Sequence, residues 1–212
     1  MKKYTIVNDE QLDDKLEEAA DAIRAKTGKT EKLDFLAGDF KTEIESIQDY
    51  LAVLANKQLT EYSSEEVSGS IAASAFSDQP NLVSVNLPNW TGGGSYAFQT
   101  CPKLTTVGCQ GLQAVGSYCF SGCKSLERIE LPSLTYLSQG AFNSCEKLTT
   151  VIIGTENSTN VATLQNANAF TKTPIESGTG FVYVRDILVD QYKTKWSAIA
   201  SQIKPHSEIP SN

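Results

Sequence analysis

The sequence predicts an α+β solenoid: a stack of repeats with short parallel strands, preceded by an N-terminal helical hairpin and closed by a C-terminal cap of a strand and a helix. Two observations predict the stack. Apolar residues recur every 22 residues in the middle of the chain, and each unit holds a short stretch of alternating apolar and polar residues. A period of this length indicates stacked units, because one such unit can bury its apolar side only against its neighbours. The helical spacing of the flanks predicts the hairpin and the cap.

Four columns of residues share this period. They are Phe76, Phe98, Phe120 and Phe142; Leu82, Leu104, Leu126 and Leu148; Val85, Val107, Ile129 and Val151; and Leu87, Cys109, Leu131 and Ile153. Within one unit, Ile129 and Leu131 alternate with Arg128 and Glu130, which is typical of a half-buried strand, and Pro132 ends it. The pattern predicts a parallel sheet along one side of the solenoid.

The five cysteines follow the same period. Cys101, Cys123 and Cys145 form a column, while Cys119 and Cys109 stand in columns otherwise filled by Ala, or by Leu and Ile. The alternatives are a catalytic nucleophile, a zinc site and a disulfide framework. A nucleophile needs a base and the chain has a single His, a zinc site needs a second close pair, and an odd count leaves one thiol over. The pattern favours free thiols that act as small buried hydrophobic residues.

One unit departs from the columns. Trp90 stands where later units have Leu112 and Leu134, and Gly93 stands where they have Val115 and Leu137. Either the two changes compensate each other in packing, or Trp90 faces a ligand. Packing is favoured, since Trp mostly serves as buried bulk.

The stretches VGSYCFSGCKSLERIELPSL and LSQGAFNSCEKLTTVII resemble the leucine-rich repeats of the BspA-like type. The resemblance covers about residues 67–153, with a degenerate fifth unit to about residue 175, where Phe170 continues the phenylalanine column. It implies a right-handed solenoid used for binding, often in surface adhesion. It brings no catalytic residues, and we expect no enzymatic activity, cofactor or metal.

The flanks divide the chain into three predicted units: an N-terminal helical region over 1–66, the solenoid over 67–175, and a C-terminal cap over 176–212. Helices are predicted over 9–27 and 39–56. The second carries an apolar seam of Phe40, Ile44, Ile47, Leu51 and Leu54. This seam either packs on the solenoid as a cap or joins chains as dimers or trimers. In the cap, FVYVRD predicts a last strand, and helical turns are predicted through Leu188, Tyr192, Trp196, Ile199 and Ile203.

Two flanking segments resemble proteins of phage and prophage tails from Gram-positive hosts. They are AADAIRAKTGKTEKLDF and FVYVRDILVDQYKTKWSAIASQIKPHSEI. The N-terminus carries no apolar run long enough for a secretory signal, and no stretch is long enough to span a membrane. The expectation is synthesis in a host cytoplasm without an export signal, followed by association with a virion.

The outward side of the predicted strands is the candidate binding surface. It comprises Ser84, Asn86, Thr106, Arg128, Glu130 and Thr150, whose polar groups suit a protein or a cell-surface glycan, although a merely soluble face gives the same pattern. The net charge of −7 argues against nucleic acid. Two functions stay open: a binding protein of a tail, fibre or adhesin, or an assembly scaffold that docks a partner through its N-terminal helices.

Overall fold

The structure, a computed structural model, describes residues 59–65 and 67–210. The predicted helices over 9–27 and 39–56, and with them the apolar seam, lie outside the described residues. All statements about the fold below concern the described part.

Short parallel strands form three sheets in the described part. Two of them lie on what we call the face of the stack: β1 (Glu61–Ser63), β3 (Ser84–Asn86) and β5 (Thr106–Gly108) in the first, and β7 (Arg128–Leu131), β9 (Thr150–Ile153), β11 (Phe181–Val184) and β12 (Ile203–Pro205) in the second. The third sheet, which we call the back, contains β2 (Gly69–Ser70), β4 (Trp90–Gly93), β6 (Ala114–Val115), β8 (Tyr136–Leu137) and β10 (Thr163–Leu164). Each repeat thus contributes one strand to the face and one to the back.

The register of the strands equals the period of the sequence. Ser84 pairs with Thr106 and Arg128 pairs with Thr150, each 22 positions further along the chain. The predicted stack of parallel strands is therefore confirmed. The ladder also begins before residue 67, because β1 pairs with β3. The division of the chain into three units stays a prediction.

The phenylalanine column forms one file through the core. Successive ring centroids from Phe76 to Phe98, Phe120, Phe142 and Phe170 are 5.0, 5.4, 5.5 and 5.9 Å apart, and the ring planes lie within 12° of parallel. Burying one such ring contributes about 1.5–3 kcal/mol. The predicted alignment is confirmed.

Turns that follow the back strands carry Phe76, Phe98, Phe120 and Phe142, and a 3₁₀ helix (Ala167–Phe170) carries Phe170. Backbone hydrogen bonds join neighbouring turns: the N–H of Phe98 donates to the carbonyl of Cys119, and the N–H of Phe120 donates to that of Ala141, both at 2.8 Å. The turns contain left-handed residues such as Tyr118, with φ of 56°. This conformation costs a non-glycine residue roughly 1–2 kcal/mol, so the packing of adjacent turns must hold it in place.

Trp90 and Gly93 compensate each other in volume. Trp90 is fully buried, with its ring edge-on to Phe98 at 5.6 Å and to Phe120 at 6.2 Å. Its indole N–H donates to the carbonyl of Gly92. A Cβ at Gly93 would lie 3.1 Å from the indole Cζ2 and 3.1 Å from the Cys119 sulfur. The packing interpretation of Trp90 is confirmed.

The C-terminal segment adds two strands to the face sheet beyond the repeats. Helix α1 (Pro174–Ser177) leads into β11, and helix α2 (Val189–Lys195) is followed by a 3₁₀ segment and by β12. The expected run of helical turns through Ile203 is instead broken at Trp196, whose φ of −106° and ψ of 45° are not helical. Ile203 begins β12 and pairs with Val182, so the strand partners the backbone edge of β11.

Candidate binding surface

The structure places the six candidate residues on the outward side of the face strands. Asn86, Thr106 and Glu130 are exposed, and the other three are half-buried. They alternate with buried residues, such as Val85 on β3 and Ile129 on β7. Because strands hold neighbouring side chains at fixed spacing, these groups form an ordered polar surface. Their role in binding stays a prediction.

Arg128 and Glu130 are the charged members of the six candidate residues. The Nη2 and Nε atoms of Arg128 donate to the same oxygen of Glu130, at 2.8 and 3.1 Å. The pair is exposed, so it contributes at most about 1 kcal/mol to stability. It is also neutral as a whole. It therefore offers donors and an acceptor to a ligand without a net charge of its own.

Gly108 leaves space for a neighbouring amide. A Cβ at this position would lie 2.2 Å from Oδ1 of Asn86, so the Asn86 side chain lies over the glycine backbone. The Nδ2 group of Asn86 lies 3.5 Å from the Ser63 hydroxyl. The side chain of Asn86 on β3 therefore lies next to Ser63 of β1 on one side and Gly108 of β5 on the other.

The surface changes character towards the C-terminus. Ile152 and Tyr183 are only 8% and 5% exposed, although they lie on the outward side and outside the main core. The rings of Phe181 and Tyr183 are 6.4 Å apart, and the ammonium of Lys204 lies 5.5 Å from the centre of the Phe181 ring. The face thus has a polar part, from Ser84 on β3 to Thr150 on β9, and an aromatic part, from Ile152 on β9 to Lys204 on β12. Sequence reasoning missed the aromatic part, because the pairing of β11 with β9 joins residues from the C-terminal segment to the repeats.

The hydrogen-bond ladder of the face is interrupted between β5 and β7. At the preceding junction the N–H of Thr105 donates to the carbonyl of Val83 at 2.9 Å. The equivalent bond from Glu127 to Thr105 is not formed within the described chain. Instead, the thiol of Cys109 donates to the carbonyl of Glu130 at 3.3 Å. We call this interruption the face split.

The cysteines are free and buried, as the sequence predicts. The thiols of Cys101, Cys123 and Cys145 donate to the carbonyl of the phenylalanine in the preceding repeat, at 3.1, 3.3 and 3.1 Å. Burial raises the pKa of Cys101 to about 11 and that of Cys145 to about 12, and it raises the pKa of Cys123 as well. The nucleophilic thiolate is therefore scarce near neutral pH.

The single histidine contacts no thiol in the described structure. His206 places Nδ1 at 3.2 Å from a Glu156 carboxylate oxygen and Nε2 at 3.1 Å from the Ile153 carbonyl. Across residues 59–65 and 67–210, no three His, Cys, Asp or Glu side chains lie close enough together to hold a metal ion. No described helix has the length and apolar character needed to cross a membrane.

Two surface tyrosines form a stacked pair that was not predicted from the sequence. The rings of Tyr96 and Tyr118 stack 5.5 Å apart with planes 2° from parallel, and Tyr96 is 39% exposed. Tyr118 lies over Gly140, where a Cβ would come within 2.3 Å of its ring. The 22-residue spacing of the two tyrosines is the sequence signal that could have found them.

These features define the chain as a leucine-rich repeat protein built of stacked parallel strands. More specifically, it belongs to the family of BspA type leucine-rich repeat regions, which matches six copies over residues 40–177. Such repeats are typically protein-binding and not enzymatic. The match begins at Phe40, so the candidate seam falls within it, and the structure of the seam lies outside the described residues.

A solved structure shares the fold. The crystal structure of a leucine-rich cell surface protein from Faecalibacterium prausnitzii matches with a TM-score of 0.51 and 23% sequence identity. The match covers 66% of this chain and 35% of that protein, so this chain spans about a third of that protein's length. No curated protein sequence matches the chain.

Proposed function

We propose that the protein is a non-enzymatic binding protein that recognises a bacterial surface ligand through the polar part of its face. The observation that carries the proposal is the ordered row of polar groups on β3–β9, which takes no part in the core. A binding or adhesin-like role also agrees with the leucine-rich repeat family and with its cell surface neighbour.

The chemistry of the face favours an uncharged polar ligand. Arg128 and Glu130 cancel each other's charge, while Asn86 and Thr106 supply an amide and a hydroxyl. A ligand with hydroxyl or amide groups satisfies donors and acceptors of this kind. A surface glycan, or a polar loop of a surface protein, therefore fits the proposal.

The setting we propose is a tail or fibre of a phage or prophage of a Gram-positive host. Its support is the resemblance of the two flanking segments to tail-associated proteins. In such a particle, the seam of Phe40, Ile44, Ile47, Leu51 and Leu54 would join copies of the chain. The mass of the full chain in solution, measured by light scattering, tests this part, and a monomer at all concentrations would contradict it.

We also propose that residues 176–212 cap a solenoid. Support comes from β11, which extends the face, and from Trp196, whose ring packs against Phe170 at 6.3 Å. A cap of this kind shields apolar side chains that an open end would expose.

Binding of the full chain to cell-wall polysaccharides and to killed Gram-positive cells tests the proposed face. We expect Arg128→Ala with Glu130→Ala to weaken binding about tenfold, since hydrogen bonds to charged groups contribute about 1.5–3 kcal/mol. The matched control removes the exposed ion pair of Lys124 and Glu146, which lies off the face strands. Equal binding by both variants, or no binding by the unmodified chain, would contradict the proposal.

A further inference from the structure

The last repeat contains an insertion. The phenylalanine step from Phe142 to Phe170 is 28 residues, where the earlier steps are 22. Most of the excess lies between β9 and β10, where residues 154–162 stand in the place of residues 132–135 between β7 and β8. We call residues 154–162 the insertion loop. Insertions in repeat proteins commonly form loops on a binding side of the stack.

The C-terminal segment fixes the insertion loop in place. Four hydrogen bonds do so: Arg185 Nη1 to the Ser158 carbonyl at 2.9 Å, Lys195 Nζ to the Val161 carbonyl at 3.0 Å, the Ala162 N–H to the Tyr192 hydroxyl at 3.0 Å, and the Trp196 indole N–H to the Ala162 carbonyl at 3.0 Å. A loop fixed in this way loses little conformational entropy when a ligand binds.

A groove of about 610 Å³ lies between the insertion loop and α2. The groove is wide open to solvent, and its wall residues other than the half-buried Val161 are exposed. Its polar walls include Thr159 and Asn160 from the loop, and Asp190, Gln191 and Lys195 from α2. The groove is separate from the face residues described above.

The walls of the groove suit a ligand with many hydroxyl groups. Asn160 and Gln191 have amides that both donate and accept, and the Asp190 carboxylate accepts from adjacent hydroxyls. The Lys195 ammonium is already bonded to the loop backbone, at the Val161 carbonyl. A polyanion would meet the Asp190 carboxylate, so it is disfavoured.

We propose that this groove binds a neutral sugar residue. The site is independent of the face, so it holds whether or not the face binds a ligand. The carboxylate of Asp190 accepts from two neighbouring sugar hydroxyls, and the amides of Gln191 and Asn160 bond to the remaining ones.

Amide chemical shifts of the ¹⁵N-labelled full chain test the site. The probes are methyl α-mannopyranoside, methyl β-glucopyranoside, methyl β-galactopyranoside and N-acetylglucosamine. We expect at least one to shift the resonances of residues 158–162 and 189–195 in a saturable manner, with millimolar affinity. The absence of saturable shifts in these segments with all four sugars would overturn the proposal.

Variants of α2 make the test specific. We expect Asp190→Asn and Gln191→Ala each to weaken binding of the active probe about tenfold. The matched control is Lys193→Ala, an exposed residue of the same helix that does not line the groove. The spectra of the variants also show whether the fold is retained. Unchanged affinity in both folded variants would overturn the site. Sugar binding at the groove that persists in the Arg128→Ala, Glu130→Ala variant would show that the groove binds independently of the face.

Discussion

Single residues fix the packing of this repeat stack through compensating volumes. Trp90 fills space that leucine occupies in the next two units, and Gly93 gives up the volume that valine or leucine occupies there. Neither substitution fits alone, because the buried interior has no spare room. The two positions therefore act as one packing unit.

This compensation predicts a non-additive pair of variants. Gly93→Val should lower the free energy of unfolding by about 1–3 kcal/mol, because the added methyl groups overlap Trp90 and Cys119. Trp90→Leu should also destabilise, by leaving a cavity. In urea unfolding, the double variant should be more stable than the sum of the single effects predicts, by at least about 1 kcal/mol. Simple additivity would show that the two side chains do not share one site.

The buried thiols predict a loss of stability in alkali. In the unfolded chain the thiols ionise near their ordinary pKa of 9.0, whereas in the fold burial keeps Cys101 and Cys145 protonated to about pH 11 and 12. Above pH 9 the unfolded state therefore binds fewer protons, and the free energy of unfolding falls as the pH rises.

Urea unfolding between about pH 9 and 11 measures this slope. We expect Cys145→Ala to make the slope shallower by up to one proton, reached above about pH 10, which is about 1.4 kcal/mol per pH unit. A slope identical to that of the unmodified protein would mean that the Cys145 thiol ionises equally well in the folded state.

At the scale of elements, the sequence predicted the regular repeats and missed their irregular neighbours. Strand β1 escaped because its register to β3 is 23 residues instead of 22, and because Tyr62 stands in a column of valine and isoleucine. Strand β12 differs from the predicted helical turns, because Ile203 continues an apolar spacing that suits a helix as well as a strand. In both cases tertiary pairing, not local pattern, decided the structure.

The C-terminal segment predicts a local effect of one substitution. Trp196 is buried, packs against Phe170 and bonds to Ala162. We expect Trp196→Ala to cost about 3–5 kcal/mol in the stability of the last repeat. In a stack held by nearest-neighbour contacts, this loss should remain near the end.

Hydrogen exchange followed by mass spectrometry tests that locality. Protection should fall over β9–β12 and remain over the repeats around Phe98 and Phe120. The control is Ile187→Ala in the same segment, because Ile187 is 67% exposed and should change nothing. A uniform fall across all repeats would show that the stack unfolds as one unit.

At the scale of the whole molecule, the candidate sites differ in how far the sequence could predict them. The polar face follows from the period of two within each strand and the period of 22 between strands. The groove does not, because it joins Asn160 of the insertion loop to Asp190 of α2, and no periodicity relates the two. The aromatic part of the face likewise depends on strands that meet only after the chain has folded.

The face split has a mechanical consequence. Backbone hydrogen bonds continue across this position along the back, where β6 pairs with β8, and along the turns. The series along the face is interrupted between β5 and β7. A stack that lacks one of its three series of hydrogen bonds at one position bends most readily at that position. Bending there would open the face, where the bonds are missing. Thr106 on β5 and Arg128 on β7 lie on opposite sides of the face split. A small bend at the face split would thus change the distance between Thr106 and Arg128, while the repeats on either side kept their structure.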